Sequence, residues 1–352
     1  MSKKRKCILI FLIIIIFIII SIFISKNKKH NSFPKIVLNG NTIIDLVEGQ
    51  KYKEPGYKAT DENDGNITDK VKIEGTINYK KEGVYELIYS VSNSKNEKAN
   101  AYRFIKVNKK EEITYKDEYD NIDNTSRGWW SGNKFDHQRP AGGADINELK
   151  KYNAYFLGPD EKVIYLTFDE GSYDTYVKEI VDVLNNNDIK ATFFFCKNYI
   201  VANSDLIKMM NEKGHSIGNH TYHHNNMPSL ATRETFNKYL KEIKDVENAY
   251  YEITGKQMDK VYRDPRGEWS YRDLTIMKDL GYKTYFYSAN YNDFSGTLTK
   301  EKALSEMTKR YHNGAIYLIH PNNKGNYGAL ESFIREMKKQ GYTFDLVKNI
   351  KN

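Results

Sequence analysis

The run Val163-Ile-Tyr-Leu-Thr-Phe-Asp-Glu-Gly171 decides how the larger part of this chain is read. Six β-prone residues, Val163 to Phe168, lead directly into two adjacent carboxylates and a glycine, and a helical pattern opens a few residues later. A short apolar run of this kind predicts a buried parallel strand. In α/β folds, ligands collect at the carboxyl ends of parallel strands, where the backbone turns away and polar side chains face a cleft. Asp169 and Glu170 stand at such an end. A solvated acidic strand terminus would look the same in isolation, so the reading rests on the residues downstream of Gly171.

From Gly171 onward helix-like and strand-like segments alternate. SYDTYVKEIVDVLNNN precedes ATFFF, SDLIKMMNEKG precedes HSIGN, and ATRETFNKYLKEIKDVENAYYEITG leads to VYRDPRG. YRDLTIMKDLGY then precedes KTYFYS, KEKALSEMTKRYHNG precedes AIYLIH, and YGALESFIREMKKQGY precedes TFDLV. Glycines at 214, 255, 281, 314 and 341 follow the helical runs, as C-terminal caps do. Repeated βα units demand a parallel sheet, and the expectation is an α/β fold closed or nearly closed into a deformed (β/α) barrel.

The distinctive polar clusters lie just after the predicted strands. HSIGN is followed by His220-Thr-Tyr-His-His224; a helical turn there would put His220 and His224 on one face, as an i, i+4 metal pair requires, with His223 pointing elsewhere. Two imidazoles and a carboxylate suit a divalent metal, zinc first among the common ones. Val261-Tyr262 runs into Arg263-Asp-Pro-Arg-Gly267, where Pro265 disfavours helix and predicts an extended loop able to deliver Arg263 and Arg266 to a cleft. KTYFYS is followed by Ala289-Asn-Tyr-Asn-Asp-Phe294, and AIYLI by His320-Pro321. Each cluster alone has an ordinary structural reading; five at five strand ends point to one site.

TFDEG, HTYHH, RDPRG, the Asn-Asp-Phe segment and IYLIH resemble, in order and spacing, the five motifs of the NodB-type polysaccharide deacetylases, carbohydrate esterase family 4. The resemblance covers roughly Tyr152 to Val347. The PRG of the third motif, with Trp129-Trp130 and YNAYFLGPDEKVIYLTFDEG, is most similar to the muramic-acid de-N-acetylases that prepare δ-lactam in spore cortex. It implies hydrolysis of an N-acetyl group on peptidoglycan with zinc held by His220, His224 and Glu170. By the same resemblance Asp169 is the base, Arg263 its orienting partner, His320 the acid and Asp293 the residue that aims it. Arg266 and Phe294 are then substrate contacts, Arg266 as a clamp for the lactyl carboxylate of muramic acid. Three positions depart from the family pattern: Glu170 stands where Asp is usual, Phe294 where Trp is common, and Asn290 where another Asp is frequent. Two other readings stand beside this one. One is an N-acetylglucosamine deacetylase of the vegetative wall; the other is an inactive, anchored wall-binding protein, which Glu170 keeps open.

The formal charge of +8 invites a nucleic-acid partner, but its location argues against one. Residues 1–35 contain Lys3, Lys4, Arg5, Lys6, Lys26, Lys28, Lys29 and Lys35 and no Asp or Glu, so 8 − 8 leaves zero for the rest. Those basic residues flank Cys7–Ile24, eighteen uncharged and mostly apolar residues. At about 1.5 Å per residue that run spans most of a hydrocarbon core of roughly 30 Å. No small-residue cleavage site comes after it, so the expectation is an uncleaved single-pass anchor within residues 1–30, its N-terminus cytoplasmic and the remainder extracytoplasmic. Of the two cysteines one, Cys7, lies in this run, leaving Cys196 as a small core residue.

Residues 34–108 carry short β-rich runs (KIVL, NTIIDLV, KVKIEG, VYELIYSV, ANAYRFIKV) with no long helical pattern, which predicts a small β-sandwich. The segment resembles the bacterial immunoglobulin-like modules of wall and surface proteins, whose role is spacing or weak binding. Asp61, Asn63, Asp64 and Asp69 miss the calcium-loop pattern because Gly65 falls fifth rather than sixth, leaving a polar turn. Residues 109–128, charged and aperiodic, read as a linker, and 129–349 as the deacetylase domain.

Overall fold

The computed structural model describes residues 33–109, 113–171, 176–294 and 297–351. The chain separates into two compact units, 1–110 and 111–352. Among the described residues no helix is long and apolar enough to cross a membrane; the apolar run Cys7–Ile24 lies outside them.

The first unit is a sandwich of two small sheets. β1 (Lys35–Leu38), β3 (Tyr57–Asp61) and β4 (Gly65–Asn66) form one; β2 (Ile43–Val47), β7 (Lys98–Asn108), β6 (Gly83–Ser92) and β5 (Lys72–Glu74) form the other. Alternation along β7 buries Arg103, Ile105 and Val107 and turns Tyr102, Phe104 and Lys106 outward, the period-two signature of a strand with one covered face. Arg103 is fully buried, donating to the carbonyls of Asn41 (2.9 Å) and Asn39 (3.0 Å). Asp61 accepts from the amides of Asn63 (2.9 Å) and Asp64 (3.1 Å) and from Asn93 Nδ2 (3.1 Å), so its oxygens close a polar turn. β3, YKATD, has no counterpart among the predicted runs, since only Tyr57 and Ala59 of its five residues are apolar.

The second unit is built on an eight-stranded parallel sheet. Its order is β16 (Ala315–Ile319), β10 (Val163–Glu170), β11 (Thr192–Phe195), β12 (Ser216–Asn219), β13 (Val261–Tyr262), β15 (Lys283–Tyr285) and β9 (Ala154–Tyr155), with β17 (Thr343–Phe344) also paired to β10. Just past β15, Ala289 pairs in parallel with Tyr317 of β16, so the sheet curls back on itself as a deformed barrel. β10 is central and buried on both faces, which is why its sequence is almost uninterruptedly apolar. Ile164, Leu166 and Phe168 pack outward among α2 (Val177–Asn186), α4 (Ser204–Glu212) and α9 (Lys324–Lys339). Tyr165 faces inward with Phe194, Val261, Tyr285 and Ile316. By the same parity Thr167 and Asp169 face the barrel interior at its carboxyl end. The interior is tight: a Cβ on Gly218 would come within 2.7 Å of the Phe194 ring and 2.8 Å of Val261.

Residues 113–127 are not the free linker that their charge predicts. Tyr119 is buried, and Ile113, Tyr115 and Ile122 pack with it against Phe236, Tyr239, Met277 and Tyr282. Lys116 Nζ and Tyr119 Oη bond Asp279 at 2.6 and 2.8 Å, and Arg233 pairs with Asp117 and Asp120. Aromatic anchors spaced between charges tie this strap to the second unit.

His215 is buried with its ring between two partners: Nδ1 accepts from the Ala191 amide (3.3 Å), so Nε2 donates to Asn185 Oδ1 (3.3 Å). Burial, reinforced by the Lys190 charge, lowers it to about 4. A histidine depressed in the folded state contributes full stability above its ordinary value of about 6.5 and loses it as pH falls towards the folded one. The urea midpoint of this unit should therefore drop between pH 7 and pH 4.5, and His215→Leu should flatten that drop; an unchanged pH slope in the variant would contradict the assignment.

Candidate active site

Asp169 and Arg263 meet inside the mouth of the barrel. Arg263 Nη1 bonds Asp169 Oδ1 and Thr167 Oγ1, both at 2.7 Å, Nε donates to the Tyr285 carbonyl (2.7 Å) and Nη2 to that of Phe286 (3.3 Å). The guanidinium lies over the Phe194 ring at 4.4 Å, and both residues are buried. Four of the five Arg263 N–H donors are thus committed to fixed acceptors, and Asp169 keeps Oδ2 for the cleft. Removing one member of such a buried pair costs about 3–5 kcal/mol, because the other is left uncompensated.

His220 follows β12. Its Nδ1 bonds the Arg263 carbonyl at 2.9 Å; a carbonyl only accepts, so Nδ1 carries the proton and Nε2 presents a lone pair 4.0 Å from Asp169 Oδ2. The His224 ring centre lies 4.9 Å from that of His220. The expected helical turn does not form here. Thr221 (φ 67°) and His224 (φ 58°) adopt left-handed backbone, and it is this folded loop, capped by Thr221 N to Asn219 Oδ1 (2.9 Å) and His224 N to Thr221 Oγ1 (3.0 Å), that brings the rings together. Left-handed conformations outside glycine cost on the order of 1–3 kcal/mol each and persist where surroundings over-determine them. Burial lowers His220 and is the largest cause that lowers His224 to about 4, so both imidazoles are neutral with lone pairs available.

His320 follows β16. Asp293 holds it at two points, Oδ1 to Nδ1 and Oδ2 to the backbone amide, both at 2.7 Å. Asn326, on α9, donates to Asp293 Oδ2 and to the His320 carbonyl, each at 2.8 Å. Burial alone would lower the imidazole; the hydrogen bond and charge of Asp293, with Asp169 and Glu170 adding, outweigh it and hold His320 above its ordinary value.

Asp169, Glu170, His220, His223, His224 and His320 line one cleft of about 460 Å³. The other predicted contacts stand outside its lining. Arg266, exposed and left-handed (φ 59°), donates to the His224 carbonyl at 3.3 Å with Glu268 Oε2 at 3.7 Å. Phe294, 65 % exposed, lies edge-on to the His320 ring at 5.6 Å. His223, expected to point away, lines the cleft instead. Among the described residues no three His, Cys, Asp or Glu side chains converge as a ready metal site. The donor chemistry nevertheless fits a first-row divalent ion: two neutral imidazoles, that of His220 with no hydrogen-bond donor at Nε2 among the described residues, beside carboxylates on the same cleft.

The loop that delivers Arg263 and Arg266 rests on a buried acid pair. Asp264 Oδ1 accepts from Tyr262 Oη (2.8 Å) and Asp273 Oδ1 from Tyr239 Oη (2.5 Å). With both ionised, each Oδ2 would be buried without a donor. Burial and then the Asp273 charge push Asp264 up, so it keeps a proton and donates to Asp273.

Residues 157–285 match the polysaccharide deacetylase family, and residues 36–107 the Ig-like domain of bacterial surface proteins. Peptidoglycan-N-acetylmuramic acid deacetylase PdaA of Bacillus subtilis is 39 % identical over 233 residues, spanning 65 % of this chain and 87 % of that protein. The structure of B. subtilis PdaA, a family 4 carbohydrate esterase, superposes with a TM-score of 0.62 at 37 % identity, covering 65 % of this chain and 98 % of that one. A family 4 carbohydrate esterase from Bacillus anthracis gives 0.53 at 30 % identity, covering 65 % and 97 %. The chain belongs to the polysaccharide deacetylases of carbohydrate esterase family 4, hydrolases of N-acetyl amide bonds, with an immunoglobulin-like module ahead of the catalytic unit.

Residues that motif reading missed act from helices. Glu242 and Asn326 fall on the buried stripes of α6 (Phe236–Thr254) and α9, beside Tyr239, Val246 and Leu330, Phe333; a polar residue in step with an apolar stripe was the available signal. Asp293→Asn removes the charge that outweighs burial at His320. An NMR titration of the ring should show its pKa falling; an unmoved value would contradict the assignment.

Proposed function

We propose that this protein is a metal-dependent peptidoglycan deacetylase that removes the acetyl group of N-acetylmuramic acid. The observation that carries the reading is the buried Asp169–Arg263 pair sharing one cleft with two neutral imidazoles and with the Asp293-backed His320. Hydrolysis of an amide needs a proton acceptor for water, stabilisation of a tetrahedral oxyanion and an acid for the departing amine.

Asp169, oriented by Arg263, takes the proton of the attacking water, whose oxygen forms the new bond to the acetyl carbon. His320 stays protonated through its Asp293 partner and gives its proton to the sugar nitrogen as the C–N bond breaks, releasing acetate and the free amine. His220 and His224, with Glu170 on the same cleft, would hold zinc. When bound, zinc acidifies water and polarises the carbonyl. Asp169→Asn should lower kcat about 10²- to 10⁴-fold in steady-state acetate release; activity within a few-fold of the parent would remove Asp169 from the mechanism.

The muramic-acid assignment is supported by similarity to a protein named as an N-acetylmuramic acid deacetylase and by Arg266, whose exposed guanidinium stands at the His224 carbonyl on the cleft rim. Muramic acid differs from glucosamine by a lactyl ether ending in a carboxylate, which a guanidinium can clamp. Arg266→Ala should abolish action on peptide-free muramic acid while sparing N-acetylglucosamine oligomers; equal loss on both would contradict the clamp. Phe294 supplies an apolar wall beside His320. Residues 1–30 anchor the chain in the cell membrane with the catalytic unit outside, and the muramic product is the precursor of δ-lactam in spore cortex.

A further inference from the structure

Beneath the loop that carries the two cleft histidines lies a carboxylate that the proposed hydrolysis does not use. Glu242 projects from α6 and is 5 % exposed. Its Oε2 accepts from the backbone amides of Tyr222 (3.0 Å) and His223 (2.7 Å). Its Oε1 accepts from Asn225 Nδ2 (3.0 Å) and lies 2.6 Å from His223 Nδ1. Among the described residues it forms no ion pair with Lys or Arg. A buried carboxylate without a Lys or Arg partner depends on such hydrogen bonds.

The grip matters because the two imidazoles are fixed differently. His220 has a hydrogen bond of its own, from Nδ1 to the Arg263 carbonyl. His224 shows no side-chain hydrogen bond among the described residues; its ring is placed by the backbone of the loop, which runs through left-handed Thr221 and reaches a second left-handed residue at His224 itself. The segment between those two positions, residues 222 and 223, is what Glu242 holds. Asp293 grips His320 in the same fashion, one oxygen on Nδ1 and the other on the backbone amide of the same residue. The cleft therefore has a carboxylate clamp on each lip.

We infer that Glu242 is a positioning residue for metal binding: it fixes residues 222–225 so that the His224 imidazole stands beside that of His220. The inference rests on the metal-dependent reading of the cleft. The His223 ring serves the clamp as one of its four contacts and is not itself a ligand.

The test is zinc affinity by chelator competition, together with the visible absorption of the cobalt-substituted protein, in the full chain and in Glu242→Ala, Glu242→Asp, Glu242→Gln and His223→Ala. Outer-shell partners of metal ligands are typically worth about 10–100-fold in affinity, so Glu242→Ala should weaken zinc by that factor and alter the cobalt spectrum. Glu242→Asp keeps the charge but shortens the reach, so it should show a smaller loss in the same direction and decides the matter if the alanine variant does not fold. Glu242→Gln keeps an oxygen for the two backbone amides and should recover most of the affinity. His223→Ala leaves the backbone bonds in place and should stay within about threefold of the parent.

Zinc affinity and cobalt spectrum unchanged in both Glu242→Ala and Glu242→Asp would overturn this inference alone. His223→Ala matching Glu242→Ala would overturn it by making the histidine ring the group that matters. No zinc uptake by the parent protein would overturn the metal reading itself and this inference with it.

Discussion

The catalytic unit depends on one buried ion pair. Arg263 and Asp169 are both removed from water, and charges so placed are tolerated only with close pairing and further hydrogen bonds. The structure meets that demand with four acceptors around the guanidinium, two of them carbonyls just at and beyond the end of β15. Thr167 lies two residues before Asp169 on the same face of β10, so one strand supplies both the carboxylate and a hydroxyl. The Arg263 carbonyl in turn fixes the tautomer of His220. A single residue thereby couples the strand that carries the acid, the loop that carries the histidines and the strand that leads to Asp293.

The barrel makes this coupling possible because side chains alternate along its strands. Ile164, Leu166 and Phe168 bind the helices while Tyr165, Thr167 and Asp169 point inward, so a largely apolar central strand can end in a charge without exposing its core. Gly218 leaves room for Phe194, and the Phe194 ring forms the floor under the guanidinium. Core packing and site geometry are here the same problem.

Much of this was legible in the sequence. Period and punctuation marked the alternating βα units, and the polar clusters stood where strand ends put them. What could not be read was how loops and helices hold those clusters. The i, i+4 spacing of His220 and His224 suggested a helical turn, whereas the rings meet through two left-handed residues, a conformation that Thr and His rarely signal. Asn326 and Glu242 each sit in step with the buried stripe of a helix, and the partners they hold lie 33 and 19 positions away along the chain. The 113–127 strap read as a linker because charge dominated its composition, while Tyr115 and Tyr119 supplied its packing. Short-range pattern reports which residues share a strand or a helix; it does not report which carboxylate supports which loop.

The most direct test of the account is the product formed from peptidoglycan whose stem peptides have been removed from muramic acid. The purified protein, restored with zinc, is incubated with this material and the muropeptides are read by mass spectrometry. Loss of acetyl from muramic acid is the predicted result, with or without a further loss of water on lactam closure. Loss from glucosamine alone, or no deacetylation with zinc supplied, would contradict it.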